Sequence, residues 1–273
     1  MFFRHHIPPP PLSDFVESFW LYEDCAPPQG LERILPNGSL SVVLNLREDS
    51  IRNYDRRDPR RFESLGGSLM VGAHSEYMVI DTACQAAVMG ISFKPGGAFP
   101  FLRMPPSELR DLHVSLDTLW KADGASLRAR LLEAATPDAK FRVLERCLMT
   151  QAGRRLERNP MVEYALSEMQ IVPHARTISD VTRMTGLSPK RFLAIFREQV
   201  GLTPKLYCRI RRFQEALRLI RAGKQVEWAD MAVSCGYFDQ AHFVHDFRAF
   251  SGITPTEYAS HKSPYTNHVP LAG

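Results

Sequence analysis

Ile178-Ser179-Asp180-Val181, Gly186-Leu187-Ser188-Pro189, Phe192, Phe196-Arg197, Gly201-Leu202-Thr203-Pro204 and Tyr207 are followed by a second statement of the same pattern. It reads Trp228-Ala229-Asp230-Met231, Gly236, Phe243, Phe247-Arg248, Gly252-Ile253-Thr254-Pro255 and Tyr258. The offset is 50 residues up to the glycine (186 to 236) and 51 after it, so the second copy holds one extra residue between Gly236 and Asp239. Two copies are too few for a solenoid but suffice for a tandem pair.

Each copy reads as helix, turn, helix. A short amphipathic run from Ile178 stops at Thr185-Gly186, and glycine is the usual residue just past a helix end. Ser188 supplies an N-cap oxygen, and Pro189 takes the first helical position, where its missing N–H costs nothing. Phe192, Ile195 and Phe196 then fall at i, i+3, i+4 as a buried stripe, which leaves Lys190, Arg191, Ala194 and Arg197 outward. In the second copy Asp239 is the N-cap, Phe243, Phe247 and Phe250 turn inward, and Gln240, Val244, His245 and Arg248 turn outward. A unit of this kind lays its second helix in the DNA major groove. A plain helical bundle would explain the phenylalanines, which are core in either case, but not the repeat.

Gly186-Leu-Ser-Pro-Lys-Arg-Phe, Phe196-Arg and Gly201-Leu-Thr-Pro, with Cys235-Gly-Tyr-Phe-Asp-Gln-Ala-His-Phe, Phe247-Arg and Gly252-Ile-Thr-Pro, resemble the AraC/XylS family of transcription regulators. The resemblance covers roughly 175–260. It implies a sequence-specific DNA-binding regulator whose two recognition helices enter successive major grooves. The residues carried over as DNA contacts are Ser188, Lys190, Arg191, Leu193, Ala194 and Arg197, then Asp239, Gln240, His242, Val244, His245 and Arg248. Gln240 suits adenine, Leu193 and Ala194 suit thymine methyls, and the late arginines 197 and 248 suit phosphates. Polar side chains are frequent in the family's first recognition helix; here Leu193-Ala194 stand instead. The other reading is a ligand-binding or interaction protein whose helical half no longer reads an operator.

Charge agrees with the placement. Residues 177–273 hold 13 Lys/Arg against 8 Asp/Glu, whereas residues 1–176 hold 21 against 22, so the basic excess lies with the repeat. The linker between the copies, Pro204 to Ala222, carries Leu206, Ile210, Phe213, Leu217 and Ile220 on one face and ends at Gly223. Its arginines 209, 211, 212, 218 and 221 read as solvated or as phosphate contacts.

Upstream, the chain changes character. Four prolines (8–11) make an extended lead-in to an aromatic run at Phe15, Phe19, Trp20 and Tyr22. Arg33-Ile-Leu-Pro-Asn-Gly reads as a turn, and Ser39–Leu46, Ser68–Val71, Tyr77–Ile80 and Ala86–Phe93 read as strands. Residues 47–63 are arginine-rich (Arg52, Arg56, Arg57, Arg60 and Arg61 among them) and hold five acids that answer the arginines, a solvated loop rather than a nucleic-acid arm. Lys94-Pro-Gly-Gly-Ala is a turn, since it has neither phosphate-loop spacing. Phe19-Trp20, Glu32-Arg-Ile-Leu-Pro-Asn-Gly and Gly90-Ile-Ser-Phe-Lys-Pro-Gly-Gly-Ala resemble an N-terminal domain found fused to AraC-type DNA-binding halves, which implies a fold neighbourhood and no ligand.

From Pro106 the period is helical, with Leu127, Leu131, Leu132 and Ala135 on one face, Phe141, Leu144 and Leu148 on another, and Met161, Tyr164, Ala165, Leu166 and Met169 inward on a third helix from Pro160.

The fold class expected is α+β: a β-rich α/β sensory or oligomerisation domain over 1–155, then an all-α tandem helix–turn–helix domain over 156–263, then a tail over 264–273. The first helix–turn–helix falls at about 178–200, the linker helix at 204–222 and the second unit at about 227–250. The boundary is placed at Gly153-Arg-Arg.

Double-stranded DNA is the expected partner, with a small-molecule effector, RNA polymerase and a second copy through 1–155 as further candidates. Trp20, Arg33 and Phe93 are the candidate effector contacts, Arg33 as the anchor for an acidic group if it is not ion-paired.

No cofactor or metal is expected: His242 and His245 are three apart on one helix but no thiol joins them. An enzyme is not expected either, since no nucleophile elbow or paired carboxylate emerges and Cys147 lacks an activating partner. Five scattered cysteines without a C-x-x-C, no signal-peptide pattern and no long apolar run point to a cytoplasmic protein with reduced thiols.

Overall fold

A computed structural model describes residues 2–24, 30–152, 156–171, 178–223, 227–261 and 265–271. The domain boundary expected at 153–155 and Cys25 lie outside the described residues.

The N-terminal part is built on two antiparallel sheets. The strands are β1 (Phe2–His6), β2 (Val16–Glu23), β3 (Leu31–Ile34), β4 (Ser41–Asn45), β5 (Ser50–Tyr54), β6 (Phe62–Gly66), β7 (Ser68–Val71), β8 (Met78–Asp81), β9 (Ala87–Phe93), β10 (His113–Ser115) and, from the far end of the chain, β11 (His268–Pro270). One sheet runs β1-β2-β9-β4-β7-β10 and the other β11-β3-β8-β5-β6.

Register explains the core. Phe19 pairs with Ile91 and Leu21 with Met89, while Val42 and Leu44 pair with the same two residues from the other side. Side chains at paired positions share a face, so these six fully buried residues form one apolar layer. Helices α1 (Leu116–Trp120), α2 (Ala122–Glu133) and α3 (Pro137–Gln151) follow, and Phe141 of α3 stacks on Phe19 with ring centres 6.4 Å apart. On the opposite face Trp20 lies on Gly90, where a Cβ would come within 2.2 Å of the indole.

Four features differ from the sequence expectation. Residues 47–63 are not a loop throughout: β5 and β6 pair from Ser50↔Gly66 to Tyr54↔Phe62. The arginines concentrate in the connecting turn, where the Asp55 carboxylate accepts from the Arg57 and Asp58 amides, so turn chemistry masked two short strands. Leu31–Ile34 is strand, and only the residues after it turn, with Gly38 at φ 84°. Leu132, Ala135 and Met161 face solvent: α2 stops at Glu133, and Val162, one position on from Met161, takes the core side of its helix. The segment expected as a tail returns as β11, pairing Val269 with Arg33.

The helical part comprises α4 (Pro160–Ile171), α5 (Ile178–Thr185), α6 (Pro189–Val200), α7 (Pro204–Arg221), α8 (Trp228–Ser234), α9 (Gln240–Ser251) and α10 (Pro255–Ser260). Both repeats use the same punctuation. Ser188 and Asp239 cap α6 and α9; Gly201 (φ 87°) and Gly252 (φ 73°) end them in the left-handed conformation; Thr203 and Thr254 cap the helices that follow.

The two parts pack together. The buried ring of Tyr207 in α7 lies against Gly38, and Gln214 Nε2 donates to Pro36 O (2.7 Å) and Asn267 Oδ1 (2.9 Å). The glycine turn after β9 sets Gly96 beside Leu166 and Val200, and Tyr77 sits over Gly252. His268 Nδ1 is 2.9 Å from Glu32 Oε2, and Arg33 Nη1 donates to Pro270 O (3.2 Å). No helix among the described residues is long and apolar enough to cross a membrane.

Candidate nucleic-acid interface

The outer faces of α6 and α9 form the candidate site. On α6 the rings of Phe192 and Phe196 and the side chain of Val200 are buried, which turns Lys190, Arg191, Leu193, Ala194 and Arg197 to solvent. Ser188 Oγ accepts from the Arg191 amide at 3.3 Å, so it sits at the helix start with its hydroxyl engaged in the cap. On α9 Phe243, Phe247 and Phe250 are buried, and Gln240, His245 and Arg248 are exposed. Asp239 Oδ1 accepts from the His242 amide at 2.7 Å. His242 and Val244 are half-buried: they flank the phenylalanine stripe rather than opposing it, and Val244 packs on the core instead of facing fully outward.

The second recognition helix is braced by α7, and the braces are arginines. Arg209 donates through Nε (3.2 Å) and Nη2 (2.7 Å) to the carboxylate of Asp246, which is 3% exposed and lies within the buried stripe of α9. That hydrogen bond raises the Arg209 pKa above its already high ordinary value. Arg209 also stacks over Phe250 at 5.2 Å. Arg212 donates to Gly236 O (3.0 Å) and covers the Tyr237 ring at 5.0 Å, which ties down the turn entering α9. Burial pushes the Tyr237 hydroxyl pKa well above the ordinary tyrosine range. Arg218 pairs with Glu215 at 2.6 Å, and Arg221 hydrogen-bonds Tyr258. Arg209 and Arg212 therefore have partners inside the fold, whereas Arg218 and Arg221 keep the exposure expected of solvated arginines and pair at the surface.

Asp246 was not legible as functional, but its position is a signal. It occupies i+3 of the Phe243, Phe247, Phe250 stripe, where the first copy has Ile195. An acid on an apolar stripe requires a buried cation or donors.

His242 Nε2 and His245 Nδ1 each lie 3.8 Å from Asp246, and no group of three His, Cys, Asp or Glu among the described residues could hold a metal. The described cysteines are free, and burial pushes the thiols of Cys84, Cys147 and Cys235 up to about 11.

The three candidate effector contacts are not brought together. Phe93 is sealed against Phe101, on the same sheet face as Ile91, whereas Trp20 lies on the opposite face at Gly90. Arg33 is in the other sheet, 5.5 Å over the ring of Tyr77. Alternation puts neighbouring strand positions on opposite faces, and an aromatic count does not show which.

A cleft of about 360 Å³ opens elsewhere, lined by Tyr54, Arg56, His74, Tyr77, Asp111 and His113 among others. The His74 and His113 rings are 5.0 Å apart, and burial lowers both below the ordinary histidine value, His113 to about 4. Arg56 pairs with Glu76, and Tyr77 carries the cleft wall onto Gly252 at the end of α9.

Comparison with known proteins matches two segments of the chain. Residues 181–261 match the model of a helix-turn-helix domain. That segment is a helix-turn-helix domain, and it holds most of both copies of the repeat. Ahead of the helix-turn-helix domain, residues 4–115 match a domain of unknown function, DUF6597.

The chain is 30% identical over 119 residues to the probable transcriptional regulator LumQ of Photobacterium leiognathi, which covers 42% of this chain and 46% of that protein. It is 27% identical over 81 residues to an uncharacterized HTH-type transcriptional regulator of Haemophilus influenzae, covering 30% and 27%. The chain thus spans less than half the length of these curated relatives.

Among solved structures, the C-terminal domain of AraT, a response regulator from Geobacillus stearothermophilus, is similar at 21% identity over 39% of this chain and 91% of that one, with a TM-score of 0.36. ToxT from Vibrio cholerae is similar at 10% identity over 94% and 96%, with a TM-score of 0.45.

Proposed function

We propose that the chain is a sequence-specific DNA-binding transcription regulator of the cytoplasm, with DNA reading in the part after residue 155 and control in the part before it. One observation carries the reading. The same helix–turn–helix occurs twice, each with its phenylalanine stripe buried and its basic and polar face open, on the two sides of one braced helix. At about 1.5 Å per residue, the 18 residues of α7 make a rod of roughly 27 Å. Successive major grooves on one DNA face are about 34–36 Å apart. Two helices offset from the ends of such a rod can reach consecutive grooves with modest DNA bending. Lys190, Arg191 and Arg197 serve the first box; Gln240, His242, His245 and Arg248 serve the second.

The N-terminal part acts on this reader through a bound small molecule, through a second copy or through RNA polymerase. The packing of Tyr77 on Gly252 and of Gly38 on Tyr207 supports such coupling, because both contacts abut the elements that position α9. Selection of bound duplexes from a random pool tests the reading. One enriched, asymmetric two-box site within about 20 base pairs is expected. Retention without any enriched motif would favour an interaction protein that has lost its operator.

A further inference from the structure

The extra residue of the second repeat can be identified. Gly186 corresponds to Gly236, both at positive φ (68° and 76°). Leu187 and Tyr237 follow them, and both pack against the core. Ser188 and Asp239 are the two N-caps. What remains without a counterpart is Phe238, and its ring is 89% exposed, the most exposed large apolar side chain among the described residues.

The turn that carries it is held on both sides. The Gly236 and Tyr237 amides donate to Val233 O and Ala232 O, each at 2.9 Å, and Arg212 fixes the Gly236 carbonyl. Tyr237 is buried under Arg212, and Asp239 is tied to its cap bond. Phe238 is therefore displayed from a braced turn, one residue before the cap of the helix whose N-terminal end meets base edges. At that exposure no apolar group among the described residues covers the ring, although aromatic burial is among the larger gains available to a fold.

We propose that Phe238 is a specificity-determining residue of the second box, packing on the 5-methyl group of a thymine where α9 enters the major groove. The inference rests on the DNA-binding reading above. The chemistry follows from the groove: thymine alone presents a methyl group there, and phenylalanine is one of the side chains that reads it. The first repeat has no residue at this place, so the contact distinguishes the two boxes and helps to set the orientation of the regulator on its site. Gln240 and His245, on the exposed face beyond the cap, then read polar edges further along the same box.

The test uses the full chain, Phe238→Ala, and the selected two-box duplex with second-box thymines replaced singly by deoxyuridine, which removes only the methyl. Wild type should lose about threefold to fivefold in affinity at one of these positions, the value of one buried methyl group. Phe238→Ala should bind the parent duplex about fivefold to tenfold more weakly, show no further loss at that position, and keep the wild-type salt slope and melting temperature.

Affinity within twofold of wild type, or a variant that still loses the same factor at that deoxyuridine, would overturn the assignment. So would an altered oligomeric state with unchanged DNA affinity, which would make Phe238 a contact between copies. If wild type selects no motif at all, the regulator reading fails and takes this inference with it, a result distinguishable from the others because it appears before any variant is compared.

Discussion

The Arg209–Asp246 pair should be asymmetric, and the asymmetry can be worked from exposure. Asp246 is 3% exposed and Arg209 31%, and two charge-assisted hydrogen bonds join them. Removing the arginine strands a carboxylate in the apolar stripe of α9. A broken buried pair costs about 3–5 kcal/mol, and partial access of water through the arginine's own path lowers this to about 2–4. Removing the acid leaves a guanidinium that water can reach and that keeps its stacking on Phe250, so Asp246→Asn should cost only about 1–2 kcal/mol.

Arg209→Met should therefore be the more damaging change although it preserves most of the apolar stem. The double variant Arg209→Met, Asp246→Ile places at 246 the residue type found at its counterpart Ile195, and should recover most or all of the loss. Urea unfolding of the four proteins measures the stabilities. Affinity for a duplex bearing only the second box measures whether α9 is still held. An Arg209→Met cost no larger than that of Asp246→Asn, or a double variant as unstable as Arg209→Met, would refute the account of this pair as an internal brace.

Three other outcomes are expected. Lys190→Ala with Arg191→Ala should weaken binding to most duplexes, flatten the salt slope by about one to two units and leave the melt unchanged, whereas Phe196→Ala should cost roughly 3–5 kcal/mol of stability; an unaltered slope with unaltered affinity would remove α6 from the DNA. His74 and His113 are held below the ordinary histidine value of 6.5, so the unfolded chain takes up protons first, and stability present above about pH 6.5 should fall as pH drops towards 4, by up to about 3 kcal/mol from His113; His113→Gln should flatten that decline in denaturation midpoints measured across the range. Inserting about five base pairs between the two boxes should reduce binding to one box, and about ten should not restore it, because α7 is a packed helix and not a tether; full affinity at the ten-base-pair insertion would overturn the rigid-rod account.

Elements that depend on local chemistry were the legible ones. Ser188-Pro189 and Asp239 announce helix starts, Gly201 and Gly252 announce ends, and phenylalanines at helical spacing announce a buried stripe, because each signal acts within one or two turns of chain. The strands Ser68–Val71 and Ala87–Phe93 were similarly plain, with β-branched and aromatic residues between breakers. What was hidden depends on distant partners. The β5–β6 hairpin is stabilised by cross-strand contacts, Tyr54 on Phe62 and Arg52 over the same ring, which composition reads only as charge. β11 has three residues, too few to carry a period, and exists because β3 offers it an edge. The arginines of α7 read as solvated or as phosphate contacts, because the partners of Arg212 and Arg209 lie 24 and 37 residues away along the chain.

Those hidden contacts also join the N-terminal part to the helical part. β11 ties the chain after α10 back to β3, while Gln214 in mid-α7 bonds both Pro36 and Asn267, so the helix-turn-helix part is gripped behind its linker helix and beyond its last helix. Arg33 lies at the junction, donating to Pro270 O and covering Tyr77, whose ring rests on Gly252. An added Cβ at Gly252 would lie 2.7 Å from that ring, a separation that leaves no slack. A shift of Tyr77 from the cleft side must therefore move either the β8 side of the sheet or the C-terminal end of α9. Since α9 is braced at its other end by Arg212 and in its middle by Asp246, the response open to it is a tilt about that brace, which would change the depth at which Gln240 and His245 stand relative to α6. On the function proposed above, control of the second box would need no unfolding and no domain separation, only a small displacement at one aromatic contact.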